Sequence, residues 1–391
     1  MKNVIKRSLL CALFAMCGTV AFADDDIKET KLNPIITAMP SLSIAPDAVG
    51  GAMGDVGAAT MPNIFSQHWN PAKYAFINSK AGASISYTPW LRKLVNDIAL
   101  IYGVGYYKIG SDDNQAISAS VRYFTMGDVP LTSETGFEDY KASPHEMAID
   151  IAYSRKLTET FSGSIAFRYI RGDYTTGTDG DDGTPGNAFA ADIAGYNESY
   201  LMLGDRECML GLGFNISNIG SKISYDDGNT YNFLPTNMRL GGSLTVPIDD
   251  YNSFSISADI NKLLVPSKPE IKEGETATER DQRYSDMSSI SGIFKSFGDA
   301  PGGFKEELKE VMWSIGAEYL YNNQFAIRGG YYYENKEKGN RNYFSVGAGF
   351  KMSVFQLDAA YLISTAQSNP LDQTLRFSIS FDMDGLRNLM K

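Results

Sequence analysis

The sequence predicts an all-β fold: a 14-stranded antiparallel transmembrane β-barrel with an N-terminal hatch or plug. Three observations predict it. Segments of about ten residues alternate in hydropathy along the chain, short and long connections between them take turns, and an export leader stands at the N-terminus. The 391 residues carry 35 Lys+Arg against 46 Asp+Glu, a formal charge of -11, with 23 Tyr and 21 Phe. That much aromatic area excludes a disordered tail, and the acidic balance excludes a duplex nucleic-acid binder, whose affinity comes mostly from Lys and Arg on phosphates. A mean hydropathy of -0.21 resembles that of a soluble protein. Alternation explains it, because the average mixes a lipid-facing parity with a polar one.

Lys2, Lys6 and Arg7 precede the apolar run 9–16, and Ala21-Phe22-Ala23 stands just before Asp24. A positive start, a short apolar stretch and an A-x-A site predict a secretory signal peptide, residues 1–23, cleaved after Ala23. It is too short to span a bilayer as a stable helix. Cys11 and Cys17 leave with it, so Cys208 is the one cysteine of the mature chain and no disulfide can brace the fold. Loss of three cations and no acids leaves 32 against 46, a mature charge of -14.

Strands are expected at 80–88, 96–109, 115–126, 145–156, 160–172, 188–197, 207–219, 237–246, 253–264, 311–322, 324–334, 342–352, 354–365 and 374–383. In the second, Ile98, Leu100, Tyr102, Val104 and Tyr106 share one parity, against Ala99, Gly103 and Gly105; in the third, Ile117, Ala119, Val121 and Tyr123 oppose Ser118, Ser120 and Arg122. The fourth sets Met147, Ile149, Ile151 and Tyr153 against Asp150 and Ser154. Short connections at 110–114, 157–159, 247–252, 323 and 353 alternate with longer ones at 127–144, 173–187, 220–236, 265–310 and 366–373, while 89–95 and 335–341 are short for outer loops. A soluble β-sandwich also alternates, but its strands average five or six residues, about half the length seen here. Aromatic residues at strand ends, such as Tyr87, Tyr107, Tyr319, Tyr333 and Phe381, suit interfacial girdles in the outer-membrane lipid. The barrel domain is 80–391, with a long outer loop at 265–310.

The apolar parity is expected to face lipid and the other the lumen. The lumen parity then carries Arg122, Asp150, Arg168, Asp192, Arg239, Asp259, Glu318, Arg328, Asp358 and Arg376. Five cations with five carboxylates favour internal ion pairs that brace the barrel over selectivity rings, since pairing offsets the cost of burying each charge. Residues 24–79 do not alternate and are rich in Gly, Ala and Pro, which makes them the candidate hatch or plug.

Within that segment, Ala45-Pro46-Asp47-Ala48, then Gly50-Gly51-Ala52-Met53-Gly54-Asp55-Val56-Gly57, and Trp69-Asn70-Pro71-Ala72 resemble the N-terminal hatch signature of FadL-type outer-membrane proteins, which are 14-stranded barrels with an N-terminal hatch. Asp47, Gly54, Asp55, Trp69, Asn70 and Pro71 carry the signature. The stretches 66–76 (SQHWNPAKYAF), 87–98 with Tyr87-Thr88-Pro89-Trp90-Leu91, Arg122-Tyr123-Phe124 with Gly127-Asp128, and 294–308 (FKSFGDAPGGFKEEL) narrow the resemblance to the PorV branch of that family, found in the type IX secretion system of Bacteroidetes. It covers most of the mature chain. The resemblance implies an outer-membrane shuttle, one that accepts cargo from the translocon SprA by the cargo's C-terminal domain and delivers it to the sortase PorU and its attachment complex. Other FadL proteins instead admit long-chain fatty acids or other hydrophobic small molecules. One departure is the tail 384–391, which follows Phe381 and displaces the usual terminal aromatic signal.

Candidate chemistry elsewhere is sparse. His68 and His145 are the only histidines and have no third ligand at zinc spacing. No G-x-S-x-G elbow is present, and Gly103-x-Gly105, Gly211-x-Gly213 and Gly347-x-Gly349 fall inside strands, where glycine spares lumen space or permits bending, not at a phosphate turn. Asp179, Asp181 and Asp182 lack the closing Glu of a calcium loop and read as a solvated outer loop. Neither catalysis, metal nor cofactor is expected. For partner binding, Pro89, Trp90, Leu91 and Leu94 in the first outer loop and Ile293, Phe294, Phe297 and Phe304 in the longest are the candidates, as apolar residues in loops.

Overall fold

The computed structural model describes residues 33–90, 97–110, 113–132, 138–175, 183–365 and 372–383. The signal peptide, Leu91, Leu94, Asp179, Asp181, Asp182 and the tail 384–391 lie outside the described residues.

Fourteen strands close into an antiparallel barrel: β1 (Ala81–Pro89), β2 (Ile98–Ile109), β3 (Gln115–Met126), β6 (His145–Lys156), β7 (Phe161–Asp173), β8 (Gly186–Leu203), β9 (Arg206–Gly220), β10 (Asn237–Pro247), β11 (Asn252–Leu263), β12 (Val311–Tyr321), β13 (Phe325–Tyr333), β14 (Tyr343–Lys351), β15 (Phe355–Ser364) and β16 (Leu375–Asp382). Each pairs with its neighbours in sequence, and β1 closes the ring on β16, from Gly82 opposite Asp382 to Tyr87 opposite Phe377. Closure leaves no unpaired strand edge, the condition for a sheet in lipid. A separate hairpin, β4 (Val129–Thr132) with β5 (Glu138–Ala142), rises from the connection between β3 and β6. Alternation did not reveal it, because both strands are too short to carry a period.

Short turns lie at one rim and the long connections at the other. Here the expected boundary of β8 is corrected: β8 and β9 run on to a two-residue turn at Gly204 and Asp205, six residues beyond 197. Outward positions form a continuous apolar belt. Ile117, Val121, Ile149, Ile151, Ile165, Phe167, Leu212, Leu240, Ile256, Ile315, Ile327, Val346 and Ile379 are all exposed in the isolated chain. Ring pairs flank the belt, among them Trp313 stacked on Tyr333 at 5.2 Å and Tyr331 against Phe344 at 4.7 Å. Among the described residues no helix is long and apolar enough to cross a membrane, so the strands and their apolar belt are the part suited to lipid.

Strand β2 reverses the expected orientation. Leu100, Tyr102, Val104 and Tyr106 are buried and face inward, while Ile101 and Tyr107 are exposed. Gly103 and Gly105 therefore face outward: a Cβ at Gly103 meets nothing within 4 Å. The reason is that the inner face of β2 is itself covered by apolar side chains. Tyr102 and Val104 pack with Val49, Met53, Val56, Phe65 and Trp69, and Tyr106 with Tyr74 and Ile77. Gly211, Gly213 and Gly347 do face inward, where a Cβ would meet Ala59 O at 2.5 Å, Ala58 O at 2.1 Å and Ala52 Cβ at 2.5 Å.

Candidate functional site

Residues 33–79 form no long element. They comprise two single-turn helices, α1 (Ala48–Gly51) and α2 (Ser66–Trp69), and two 3-10 turns, Pro40–Ser43 and Pro71–Phe76. Asp47 caps α1: its carboxylate accepts from Gly50 N at 2.8 Å and from Trp69 Nε1 at 2.7 Å. The glycines of the signature exist for the Trp69 ring and the barrel wall. A Cβ on Gly50 or Gly57 would lie 2.5 or 2.3 Å from the indole, and Gly54, at φ 70°, sits against the Tyr331 backbone. Asn70 bridges segment and barrel by donating to Ala58 O at 2.8 Å and Gly195 O at 3.0 Å, and Pro71 opens the following turn.

The segment is fastened to strands all around the ring. Ala48 N donates to Ser378 on β16 at 3.0 Å and Gly54 N to Ser345 on β14 at 2.7 Å. Gly57 N and Ala58 N share Asp259 Oδ2 on β11 at 2.8 and 3.0 Å. Ser41 N donates to Glu146 on β6 at 3.1 Å, and Ser162 on β7 donates to Ala72 O at 2.8 Å.

The ten inward charged residues expected from the sequence divide into clusters. Arg168 clamps Asp150 at 3.1 Å and Asp192 at 2.9 Å, helped by a bulge between Ala191 and Ile193 that brings Asn218 to the same guanidinium. Arg328 bridges Glu318 and Asp358, the latter at 2.7 Å. Arg239 contacts Asp259 at 3.3 Å and lies 4.8 Å over the Trp69 ring. Arg376 meets Asp55 of the N-terminal segment at 3.4 Å. Among the described residues Arg122 pairs with no carboxylate: it donates to Ser41 O, to Ile44 O at 3.0 Å, and to His68 Nδ1 at 3.0 Å.

Burial sets the protonation of the segment. Asp47 is pushed up to about 6 by burial, which its two donors only partly oppose. Burial first, then the surrounding arginines led by Arg122, holds His68 well below the usual histidine range. Lys73, wholly buried and donating to Gly57 O at 2.7 Å, is lowered to about 7 by burial.

At the loop rim the strands and segment enclose a cavity of about 450 Å³. Its lining includes the apolar Leu42, Ile44, Trp90, Phe124 and Met312 and the polar Asn215, Asn237, Asn261, Arg239 and Arg376. Trp90 thus joins the cavity, with Pro89 ending β1 beside it. The amides were missed at the sequence level, although their inward parity on β9, β10 and β11 carried the signal. Glu146, fully buried on the inward parity of β6, was missed in the same way.

The connection 264–310 carries α3 (Ala277–Ser285), α4 (Ser289–Lys295) and α5 (Phe304–Lys309). Thr276 and Glu279 form a reciprocal cap at the start of α3. Glu310 anchors the connection to the barrel: it accepts from Lys262 at 2.6 Å, Lys338 at 3.0 Å and Ser267 at 2.9 Å. Ile293 is half-buried, whereas Phe294, Phe297 and Phe304 are 74%, 53% and 77% exposed. They stand on a separate element from Trp90, so the two groups of loop residues form two surfaces.

Among solved structures, the deltaS2S3 mutant of the TodX monoaromatic hydrocarbon channel aligns with a TM-score of 0.50 and 13% identity over 86% of this chain and 98% of that one. The Pseudomonas putida toluene transporter TodX gives 0.48 and 10% over 90% and 99%, and a Pseudomonas aeruginosa FadL homologue 0.42 and 13% over 90% and 99%. No curated protein sequence matches the chain. Residues 27–270 match the family model described as type IX secretion system protein PorV. A closed barrel with an apolar belt, matched to that model over more than half its length, places the chain as an outer-membrane barrel that belongs to the PorV family of the type IX secretion system.

Proposed function

We propose that the protein is an outer-membrane carrier. It binds the C-terminal signal domain of secreted cargo, receives it from the translocon SprA and passes it to the sortase PorU and the attachment complex. Family membership supports the system, and one observation carries the binding role: a connection anchored by the buried Glu310 cluster holds Phe294, Phe297 and Phe304 out in solvent. Exposed aromatics on a braced support mark a contact surface. In this reading residues 1–23 are removed on export, 24–79 act as a hatch or plug, and the protein carries no catalytic residues, metal or cofactor.

The test is deletion of the gene followed by mass spectrometry of the culture medium and of peptides shaved from the cell surface. Cargo with type IX signal domains is expected to disappear from both; normal secretion and attachment would overturn the proposal. The triple variant Phe294→Ser, Phe297→Ser, Phe304→Ser is expected to insert normally but to retain about tenfold less cargo in a pull-down from detergent-solubilised membrane.

A second reading, uptake of long-chain fatty acids or other hydrophobic small molecules, is favoured by the apolar residues that line the loop-rim cavity. It requires a path past residues 33–79, and the ring of bonds fastening that segment opposes one. Restored growth of a fatty-acid uptake mutant by this gene would favour it over the carrier.

A further inference from the structure

At the short-turn rim, β8 and β9 run on to the turn at Gly204 and Asp205, whereas β7 begins only at Phe161, opposite Asn197. Residues 199–203 of β8 therefore have β9 on one side and, among the described residues, no strand on the other. The hairpin register fixes which backbone groups face that open side. A two-residue turn makes Leu203 and Arg206 a hydrogen-bonded pair, and the bonded pairs then recur at Leu201 with Cys208 and at Ser199 with Leu210. The residues between them, Glu198, Tyr200 and Met202, turn N–H and C=O away from β9. Glu198 shows this phase by donating to Thr160 O at 2.8 Å. Tyr200 and Met202 lie beyond Thr160, and their donors and acceptors form an open sheet edge, which another chain can extend.

The side chains of this edge are apolar, and lipid does not account for them. Tyr200 and Met202 share the parity of Asp192 and Tyr196, which are buried inside the barrel, so they turn away from the lipid face. Yet they are 60% and 61% exposed. Acids surround them. The stretches 157–160, 198–209 and 247–252 carry Glu159, Glu198, Asp205, Glu207, Asp249 and Asp250, against the single cation Arg206, which acts on Asp249. Arg155 and Lys156 stand one strand further off, at the end of β6, where Lys156 Nζ lies 4.2 Å over the Phe76 ring. Glu207 is directly opposite Met202, and Glu198 precedes Tyr200 on the same face.

Short turns of an outer-membrane barrel lie on the periplasmic side. An open edge asks for an extended polypeptide, and an excess of carboxylates asks for a basic one. We propose that the β8 edge at Tyr200 and Met202 is a docking site for a periplasmic protein, which adds a basic extended segment to the sheet. The backbone of that segment pairs with Tyr200 and Met202, and its Lys or Arg side chains meet Glu198 and Glu207. The site is at the rim opposite the long connections and does not depend on the carrier reading.

The test uses the full-length protein in lipid nanodiscs and fluorescence anisotropy of three labelled peptides: Lys-Val-Lys-Val-Lys-Val, its fully N-methylated form and Glu-Val-Glu-Val-Glu-Val. The basic peptide is expected to bind saturably, the N-methylated form, which keeps the charge and loses every backbone donor, about tenfold more weakly or worse, and the acidic peptide not measurably. Met202→Pro removes one edge N–H and leaves the rungs to β9 in place; it is expected to weaken the basic peptide about tenfold, with heat-modifiable gel mobility reporting a folded barrel. The double variant Glu198→Gln, Glu207→Gln, which leaves the backbone untouched, is expected to weaken it as well and to flatten its dependence on salt. No saturable binding of the basic peptide, equal binding of its N-methylated form, or unchanged binding by the variants would each overturn the proposal. A spin label at Met202→Cys is expected to be reached by a water-soluble nickel chelate; access by lipid-dissolved oxygen alone would place the edge in the bilayer and overturn it. A dimer that Met202→Pro dissolves would assign the edge to a second copy of this chain, and would overturn it likewise.

Discussion

At the scale of single residues, the buried charges differ in what they cost. Arg168 holds two carboxylates in a site where all three side chains are at most 8% exposed. Arg168→Met leaves both buried acids without their cation, with only neutral donors from Gln67, Ser120 and Asn218 N remaining, and is expected to destabilise the barrel by about 3–5 kcal/mol, read as a large fall in the temperature at which its gel mobility changes. Lys309→Ala, which breaks the pair with Glu337 where both side chains are about one third exposed, is expected to cost less than about 1 kcal/mol. Asp47 adds a pH dependence. Its carboxyl lies near 6 in the folded chain, against 3.8 ordinarily. The folded state therefore holds the proton more tightly, and this group's contribution to stability is full below pH 4 and declines as pH rises through 6. Asp47→Asn removes that decline. The stability of the variant relative to the parent is expected to improve between pH 3 and pH 8 by about 3 kcal/mol at most; a difference that is flat with pH would show that Asp47 does not titrate there.

At the scale of elements, strand positions were legible and strand faces were not always. In β3 and β6 one parity is apolar and the other holds Ser, Asp or Arg, so the alternation carries a sign as well as a period. In β2 the inward residues contact Val56, Phe65 and Trp69 and are as apolar as those facing lipid, and period alone cannot tell inside from outside. The same contacts predict opposite outcomes for two glycines. Gly213→Ala drives a Cβ to 2.1 Å from Ala58 O and is expected to free the N-terminal segment, seen as new protease cleavage between 33 and 79. Gly103→Ala points into open space and is expected to leave the digestion pattern unchanged. The long connection behaves as a braced element. Glu310→Ala leaves the ammonium groups of Lys262 and Lys338 without their shared acceptor, and is expected to make residues 264–310 the first site of limited proteolysis while the strands stay protected.

At the scale of the whole molecule, the barrel was legible because closure, length and alternation act on every strand alike, and the family resemblance rested on short signatures that the fold explains: Asp47 and Trp69 bond to each other, and the glycines between them make room for the ring. The loop-rim cavity was not legible, since it is assembled from a non-alternating segment, nine strands and loop residues that only tertiary structure brings together. If residues 33–79 seal the lumen, the intact protein in a planar bilayer is expected to show little conductance, and a chain lacking them steady open currents. Equal conductance of the two would mean that the strands' own side chains close the bore. The doubly apolar character of β2 also has a consequence before the barrel exists. An exported chain must remain unfolded in water until it reaches the membrane, and residues 98–107 (IALIYGVGYY) then present apolar groups on both sides of any extended conformation, with charge only at Asp97 and Lys108. That window matches the composition of self-associating β segments held apart by flanking gatekeepers, so exchanging Lys108 for a neutral residue should raise the chain's tendency to aggregate and its dependence on holding chaperones in transit, with no change to the finished barrel.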